Sequence, residues 1–349
     1  MSMAQGQKAI HPSADLKSVS LVLPTFDHQA HTHGRSFDMT SIRAAYNNIG
    51  TIPTFMKELI AGGVSGGFSK TVVAPLERTK LLYQTQNATF QSLGVTRTLL
   101  FIHKREGFSG FYRGNGAGVV RIVPYAALHF MAYEQYRRWI INYWPERVHP
   151  GALPDFMAGS LAGGTAVLFT YPLDLAMTTL GYQVRDPRTG SQAYTGIRDV
   201  FSKVVQANGL KGLYRGIGPT LCGIVPYAGL KFFVYESLKN GLSDELHENV
   251  FVKLACGGVA GMVGQTFTYP LDVVRRRMQV QAVGFSSQTY KGTLDGLVSI
   301  IRSHGVKQLF AGLSINYIKL VPSVAIGFTA YDIVKSWMGV PSREGPRES

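Results

Sequence analysis

Long apolar stretches alternate along the chain with shorter polar segments, and a few charged residues interrupt every apolar stretch. None of the stretches is an unbroken run of about 20 apolar residues, which a helix surrounded by lipid would prefer. Charged side chains inside a membrane face the interior of a helix bundle or a water-filled cavity. The pattern therefore predicts an all-α membrane protein in which six transmembrane helices surround a central cavity. The predicted spans lie near residues 53–84, 115–142, 153–183, 216–240, 250–281 and 313–338.

The first, third and fifth predicted helices share a proline at an equivalent position, and these three prolines are evenly spaced. Pro75 and Pro172 are 97 residues apart (172 − 75), and Pro172 and Pro270 are 98 apart (270 − 172). A pattern that recurs at one period indicates a repeated structural unit. We therefore predict three pseudo-threefold repeats of about 100 residues each, after a polar tail that we expect to be disordered. The predicted boundaries are 1–50 for this tail, 51–148, 149–246 and 247–340 for the repeats, and 341–349 for a C-terminal tail.

Each of these prolines begins a motif in which an acid follows after two residues and a base after five. Proline lacks the backbone N–H and crowds the preceding turn, so we expect a bend at each motif. The acid and the base are three residues apart and share one helix face. Repeat 2 departs from the motif, because Met177 stands where the base belongs. The acids are Glu77, Asp174 and Asp272, the bases are Lys80 and Arg275, and glutamines nine residues after the proline are Gln84 and Gln279.

The even-numbered helices end in a second charged motif, an aromatic residue followed by an acid and, three residues later, a base. Charged motifs therefore occur at both ends of each helix pair. The acid and base of each copy are Glu134 and Arg137, Glu236 and Lys239, and Asp332 and Lys335.

Three residues on the even helices predict a site at the middle of the membrane. Arg121, Gly223 and Lys319 each lie thirteen residues before the acid of the second motif, which is about 20 Å along a helix. Two cations at that depth need an anionic partner, and arginine can grip a phosphate with two hydrogen bonds. Gly223 beside Ile224 leaves a small apolar slot that suits a flat purine ring. Alternatively, the two cations pair with neighbouring carbonyl groups or with acids of the two charged motifs.

A further cation precedes the end of the fourth helix. Lys231 lies five residues before Glu236, and it either receives another phosphate group or pairs with that acid.

The overall charge agrees with an anionic partner. The chain has 35 lysine and arginine residues against 21 acids, and a formal net charge of +14. Such a balance favours polyanions, but no zinc-ligand spacing or RNA-binding aromatic signature is present, so we expect no nucleic-acid partner. Only 16% of the residues are charged, against about 25% in soluble domains. We expect no cofactor and no metal site, and we interpret Cys222 and Cys256 as small residues of the helix packing.

Taken together, these motifs resemble those of the mitochondrial carrier family over roughly residues 53–340. The resemblance includes the aromatic–basic–glycine segments Tyr112–Gly114 and Tyr214–Gly216, and Phe310–Gly312, which lacks the base. Within the family, the segments Ala74–Arg78 and Val321–Phe328 are similar to plant-type coenzyme A carriers. The resemblance implies a multi-pass protein of the mitochondrial inner membrane that exchanges solutes by alternating access and is not an enzyme. It also implies a monomer in contact with membrane lipid, with cardiolipin as a candidate.

The resemblance assigns roles to the charged residues. A matrix gate would contain Glu77, Lys80, Gln84, Asp174, Asp272, Arg275 and Gln279, and a cytoplasmic gate Glu134, Arg137, Glu236, Lys239, Asp332 and Lys335. The substrate would bind Arg121, Gly223, Ile224, Lys231 and Lys319. Because Met177 replaces a base, the family's pairing order leaves Glu77 without a partner, and we hypothesise a weakened matrix gate.

The best substrate hypothesis is coenzyme A or a related adenine-containing phosphate, exchanged for an adenine nucleotide. Glycine and isoleucine at the slot do not separate coenzyme A from ADP, AMP, ATP or adenosine 3′,5′-bisphosphate. The run Arg275–Met278 matches the three arginines and methionines of ADP/ATP carriers only in part. A non-transporting membrane adaptor is a second hypothesis, favoured by the altered repeat 2. An enzyme is disfavoured because no nucleophile–base constellation or phosphate-binding glycine loop appears.

Overall fold

The computed structural model describes residues 54–85, 90, 94–143, 152–184, 193–242, 250–284 and 289–339. The tails predicted at 1–50 and 341–349 lie outside the described residues. Within these ranges all regular secondary structure is helical. The α-helices are α1 (Thr54–Val72), α2 (Ala74–Gln84), α3 (Val95–Glu106), α4 (Asn115–Tyr143), α5 (Ala152–Tyr182), α6 (Ile197–Gly212), α7 (Ile217–Asn240), α8 (Val250–Ala282), α9 (Thr293–His304) and α10 (Leu313–Trp337), and short 3₁₀ helices cover Phe108–Tyr112 and Val306–Phe310.

Each predicted span contains a long helix, but only the first span is divided. Helices α1 and α2 meet at Val73, and their axes differ by 65°. Pro75 lies in the first turn of α2, where the N–H that proline lacks would have no helical partner. Pro172 and Pro270 instead lie inside the continuous helices α5 and α8. The bend expected at every proline motif is therefore a helix break in repeat 1 alone.

The long helices contact one another in a closed ring. In order around the ring they are α1, α4, α5, α7, α8 and α10, and α10 returns to α1. The segments that follow the three prolines, α2 and the second halves of α5 and α8, also contact one another. We call the end of the ring at which they meet the proline end. The other end, where α4, α7 and α10 finish, is the opposite end.

Three glycines connect the repeats at the proline end. Gly114, Gly216 and Gly312 have φ values of 79°, 86° and 82°, which favour glycine. They directly precede α4, α7 and α10, respectively. A Cβ atom on any of them would collide with or press on a carbonyl oxygen of the next repeat. The carbonyls are those of Met177, Arg275 and Lys80, respectively. The repeats therefore contact one another cyclically at the residues where the motif places its bases.

Apolar length alone identifies some of the six helices as membrane spans. Among the described residues, the segments Leu153–Tyr182, Ile217–Asn240 and Val306–Trp337 are long and apolar enough to cross a membrane. The bent pair formed by α1 and α2 qualifies as a fourth when it is counted as one span. Helices α4 and α8 do not qualify, and both carry several of the charged residues predicted to face the cavity. Arg121 of α4 and Asp272 and Arg275 of α8 are the charges that lie inside the ring.

Candidate functional site

Asp174 is the centre of the charge network at the proline end. It is fully buried on α5. Its carboxylate accepts hydrogen bonds from Arg121 Nη1 at 3.1 Å on α4 and from Arg276 Nη1 at 3.3 Å on α8, and it forms a short ion pair with Arg275. Gln279 Nε2 donates a further bond at 2.7 Å. One carboxylate therefore joins three helices through three guanidinium groups.

Asp272 joins a second set of helices. Lys80 Nζ on α2 donates to its carboxylate at 3.1 Å, and Gln84 Nε2 donates at 2.9 Å. Lys80 also donates to Asn316 Oδ1 at 3.1 Å on α10. The nearest guanidinium nitrogen of Arg276 lies 4.0 Å from Asp272. The two glutamines predicted to brace the gate thus each contact an acid of the proline motif, and their role in gating stays a prediction.

Glu77 is paired, so the expectation that it has no partner is wrong. The ammonium group of Lys319 on α10 donates a short hydrogen bond to Glu77 Oε2. The family's pairing order considers only the bases of the proline motifs, and Lys319 lies outside them. Its flexible four-carbon side chain reaches Glu77 because α10 packs beside α1 and α2 in the ring.

Positive charge exceeds negative charge in this network. The three acids are joined by five cations, which leaves an excess of two positive charges among the named groups. The cations are Lys80, Arg121, Arg275, Arg276 and Lys319. An excess of cations within a membrane protein calls for an anionic ligand or counter-ion.

A cavity of about 370 Å³ lies beside the network. Arg121, Gly223 and Ile224, three of the five residues predicted to bind substrate, line it together. The guanidinium carbon of Arg121 lies 5.2 Å from the centre of the Tyr125 ring, which also lines the cavity. The remaining lining residues are Val167, Pro219, Thr220, Tyr227, Gln265, Thr268, Leu271, Asp272 and Arg275. The cavity thus combines a cationic side with an apolar and hydroxyl-bearing side.

The other two residues predicted to bind substrate do not line this cavity. Lys319 is engaged by Glu77, and Lys231 is exposed on α7. Arg121 lines the cavity but is also bound to Asp174 and to Thr170 Oγ1, at 3.1 and 3.2 Å. The prediction that Arg121 and Lys319 have no partner other than the substrate is therefore wrong for this conformation. The alternative, in which both cations pair with motif acids, describes it, and the acids are those of the proline motifs.

The opposite end has a different arrangement. Arg137 pairs with Asp155 at the start of α5 at 2.6 Å, an acid that the sequence motif does not include. Glu134 contacts Arg138 on its own helix, 3.5 Å away. Within the described ranges, no ion pair joins any two of the helices α4, α7 and α10 at this end. The predicted cytoplasmic gate is therefore not assembled in this conformation, whereas the acids and bases of the proline end are in contact.

Sequence reasoning missed several polar residues of the network. Arg276 bonds to Asp174 and to Thr178 Oγ1, and Thr178 donates to Gln279 Oε1 at 2.8 Å. The Tyr171 hydroxyl accepts from Gln279 Nε2 at 3.1 Å and donates to a backbone carbonyl at 2.9 Å. The run of three arginines after Asp272 signals that more than one base is available, but it does not say which of them turns inward.

The sequence was also compared with those of known proteins. The family model described as "Mitochondrial carrier protein" matches residues 52–144, 149–246 and 247–341. The chain is 56% identical to "Mitochondrial carrier protein CoAc1" of Zea mays, over 84% of this chain and 90% of that protein. It is 53% identical to "Mitochondrial carrier protein CoAc1" of Arabidopsis thaliana, over 85% and 94%. It is 40% identical to "Mitochondrial coenzyme A transporter SLC25A42" of Rattus norvegicus, over 80% and 87%.

Proposed function

This chain belongs to the mitochondrial carrier family, and we propose that it carries coenzyme A across the mitochondrial inner membrane in exchange for an adenine nucleotide. The family consists of transporters, and the names of the family and of these relatives support a mitochondrial membrane. The related mammalian protein named as a coenzyme A transporter supports this choice of substrate, as do the plant relatives named CoAc1.

The observation that carries the proposal is the cavity beside the charge network. Its cationic wall, with Arg121 and Arg275, offers hydrogen-bond donors to phosphate groups. Gly223 and Ile224 on the other side leave room for the adenine ring. Coenzyme A combines adenine with a 3′-phosphate and a diphosphate, so one molecule uses both sides of the cavity. ADP, AMP, ATP and adenosine 3′,5′-bisphosphate have the same two chemical features and form the alternative substrate class.

The pairing of the cations suggests how binding leads to transport. Arg121 and Lys319 are bound to Asp174 and Glu77 in this conformation. Phosphate groups compete with these carboxylates for the same cations, so binding of the substrate weakens the contacts that close the proline end. A ligand shifts a conformational equilibrium only by its differential affinity for the two states. We assign the proline end to the matrix gate and the opposite end to the cytoplasmic gate.

We also propose that the carrier acts as a monomer surrounded by lipid. The six long helices close their ring within one chain, so no second copy is needed to enclose the cavity. Large apolar side chains such as Phe169, Phe233 and Phe267 are more than half exposed, which suits contact with acyl chains. Cardiolipin is the lipid to test first, by comparing the melting temperature of the purified protein with and without it.

Exchange by reconstituted liposomes tests the substrate assignment. Vesicles loaded with ADP are given labelled coenzyme A, ADP, AMP, ATP or adenosine 3′,5′-bisphosphate outside. We expect saturable uptake of coenzyme A that is lost in Arg121→Ala. Arg138→Ala is the matched control, because Arg138 lies on the same helix and is 70% exposed.

The outcomes separate the hypotheses. Uptake of adenine nucleotides without coenzyme A would reject the proposed substrate but keep the carrier. Binding of coenzyme A without uptake of any compound would favour the adaptor instead.

A further inference from the structure

Lys70 on α1 occupies the region that the missing base of repeat 2 would fill. A Cβ atom placed on Gly118 would lie 2.7 Å from Lys70 Nζ and 3.0 Å from Met177 Sδ. The ammonium group and the thioether sulfur are therefore close neighbours. Met177 is 5% exposed, so the contact lies inside the ring. None of the sequence motifs includes Lys70.

Lys70 also shares a small cavity with the acid whose expected partner is missing. Lys70, Glu77 and Met177 line a cavity of about 20 Å³ at the break between α1 and α2. Such a volume holds about one water molecule. Lys70 lies at the end of α1 and Glu77 in the first turn of α2, so the 65° bend lies between the two residues that share this cavity. Within the described part of the chain, Lys70 Nζ has no hydrogen bond or ion pair.

Lys70 has charged neighbours of both signs. Glu77 and Asp174 attract its ammonium group and Arg121 and Arg276 repel it, while burial disfavours an ammonium group that has no partner. In this conformation Glu77 is already neutralised by Lys319. When a phosphate of the substrate takes Lys319, Glu77 loses that partner. Lys70 lines the same cavity, whereas the other two cations of that cavity, Arg78 and Arg113, are bound to Glu106, and Lys80 is bound to Asp272.

We propose that Lys70 supplies the base that repeat 2 lacks. While Lys319 is bound to substrate, the Lys70 ammonium group neutralises Glu77, so that the proline end has a cation for each of its three acids throughout the exchange. This role rests on the proposed transport function, and it differs from direct binding of substrate by Lys70.

The test moves the positive charge from position 70 to position 177. The variants are Lys70→Met, Met177→Arg and the double variant Lys70→Met/Met177→Arg, and Lys57→Met is a control on the same helix. Exchange of coenzyme A by liposomes gives the maximal rate and KM for each. We expect Lys70→Met to lower the maximal rate by about tenfold or more, since leaving a carboxylate inside the ring without its counter-charge costs at least the free energy of a tenfold change in rate. We expect KM to stay unchanged and the double variant to recover the rate.

The results that would overturn the proposal are distinct. If the double variant is as slow as Lys70→Met, position 70 does not stand in for the missing base. If Lys70→Met raises KM and leaves the maximal rate intact, Lys70 contacts the substrate directly. A parental rate in Lys70→Met would equally reject the proposal.

A second measurement keeps the test independent of transport. Lys319→Met removes the other partner of Glu77, so Lys70→Met is expected to lower the melting temperature more in that background than in the parent. Met177→Arg is expected to abolish this difference. Equal effects in both backgrounds would reject the coupling between Lys70 and Glu77. If the parent transports nothing but this coupling is present, the transport proposal fails and the role of Lys70 as a counter-charge stands.

Discussion

Replacing Asp174 by asparagine tests the centre of the charge network. Asparagine has the same shape as aspartate, so the substitution removes the charge and leaves the packing of α5 in place. Three guanidinium groups then lose their shared counter-charge. Only Asp272 remains near them, 4.0 Å from Arg276. We expect the conformation closed at the proline end to be strongly destabilised.

The size of the effect follows from burial. Asp174 is fully buried, and its arginine partners have side chains that are 10 to 19% exposed. Removing one partner from a buried ion pair costs about 3–5 kcal/mol. At about 2 °C per kcal/mol for a chain of this size, the melting temperature is expected to fall by about 6–10 °C.

The assay is thermal unfolding of detergent-purified protein, with Glu236→Gln as the matched control. Glu236 is the acid of the same repeat at the opposite end, and it forms no ion pair with any residue that the structure describes. We expect its neutralisation to leave the melting temperature nearly unchanged. A melting temperature of Asp174→Asn within about 2 °C of the parent would refute the reasoning, and so would an equal loss in Glu236→Gln.

Three further predictions concern other parts of the proline end. Gly216→Ala is expected to lower the melting temperature more than Gly209→Ala. Both glycines have positive φ, but only a Cβ at position 216 would lie 2.9 Å from the Tyr171 hydroxyl and 3.0 Å from the Arg275 carbonyl oxygen. Equal losses would contradict this. Arg277 is 3% exposed and its two terminal nitrogens lack a hydrogen-bond partner among the described residues. Burial and the positive charge of Arg277 lower the pKa of His304, so this histidine is neutral at neutral pH and adds no second positive charge beside Arg277. His304→Glu is expected to raise stability by about 1–3 kcal/mol in the same unfolding assay, and no gain would contradict it. Met177→Arg alone is expected to leave coenzyme A exchange close to the parental rate, because the acid of repeat 1 already has a partner; a large gain would restore the hypothesis of a weakened gate.

The fold could be predicted closely because its signals are local and occur three times. The fourth long helix shows this, because its span was predicted at 216–240 and α7 covers Ile217–Asn240. Glycine before the helix and charged residues at its end set both boundaries. Agreement among three copies identified the proline motif even where repeat 2 had lost its base. The helix break in repeat 1 could not be predicted, because the prolines of all three repeats look alike in sequence.

The partners within the network could not be predicted, because they depend on which helices are neighbours and on the conformation. Spacing placed Arg121 and Lys319 at one level and indicated that they need an anion. It did not show that carboxylates of the protein take that role in this conformation. Lys70 was missed for a related reason. It belongs to no motif, and only the packing of Gly118 against α1 brings it to Met177.

The loss of a base in repeat 2 therefore has a physical consequence other than an unpaired acid. A partly buried carboxylate without a counter-charge is costly, so Glu77 is neutralised by a cation that its surroundings provide. Lys319 provides it here, so a residue predicted to bind substrate becomes part of the charge network at the proline end, the proposed matrix gate. The substrate and Glu77, whose pairing keeps that end closed, then compete for the same ammonium group.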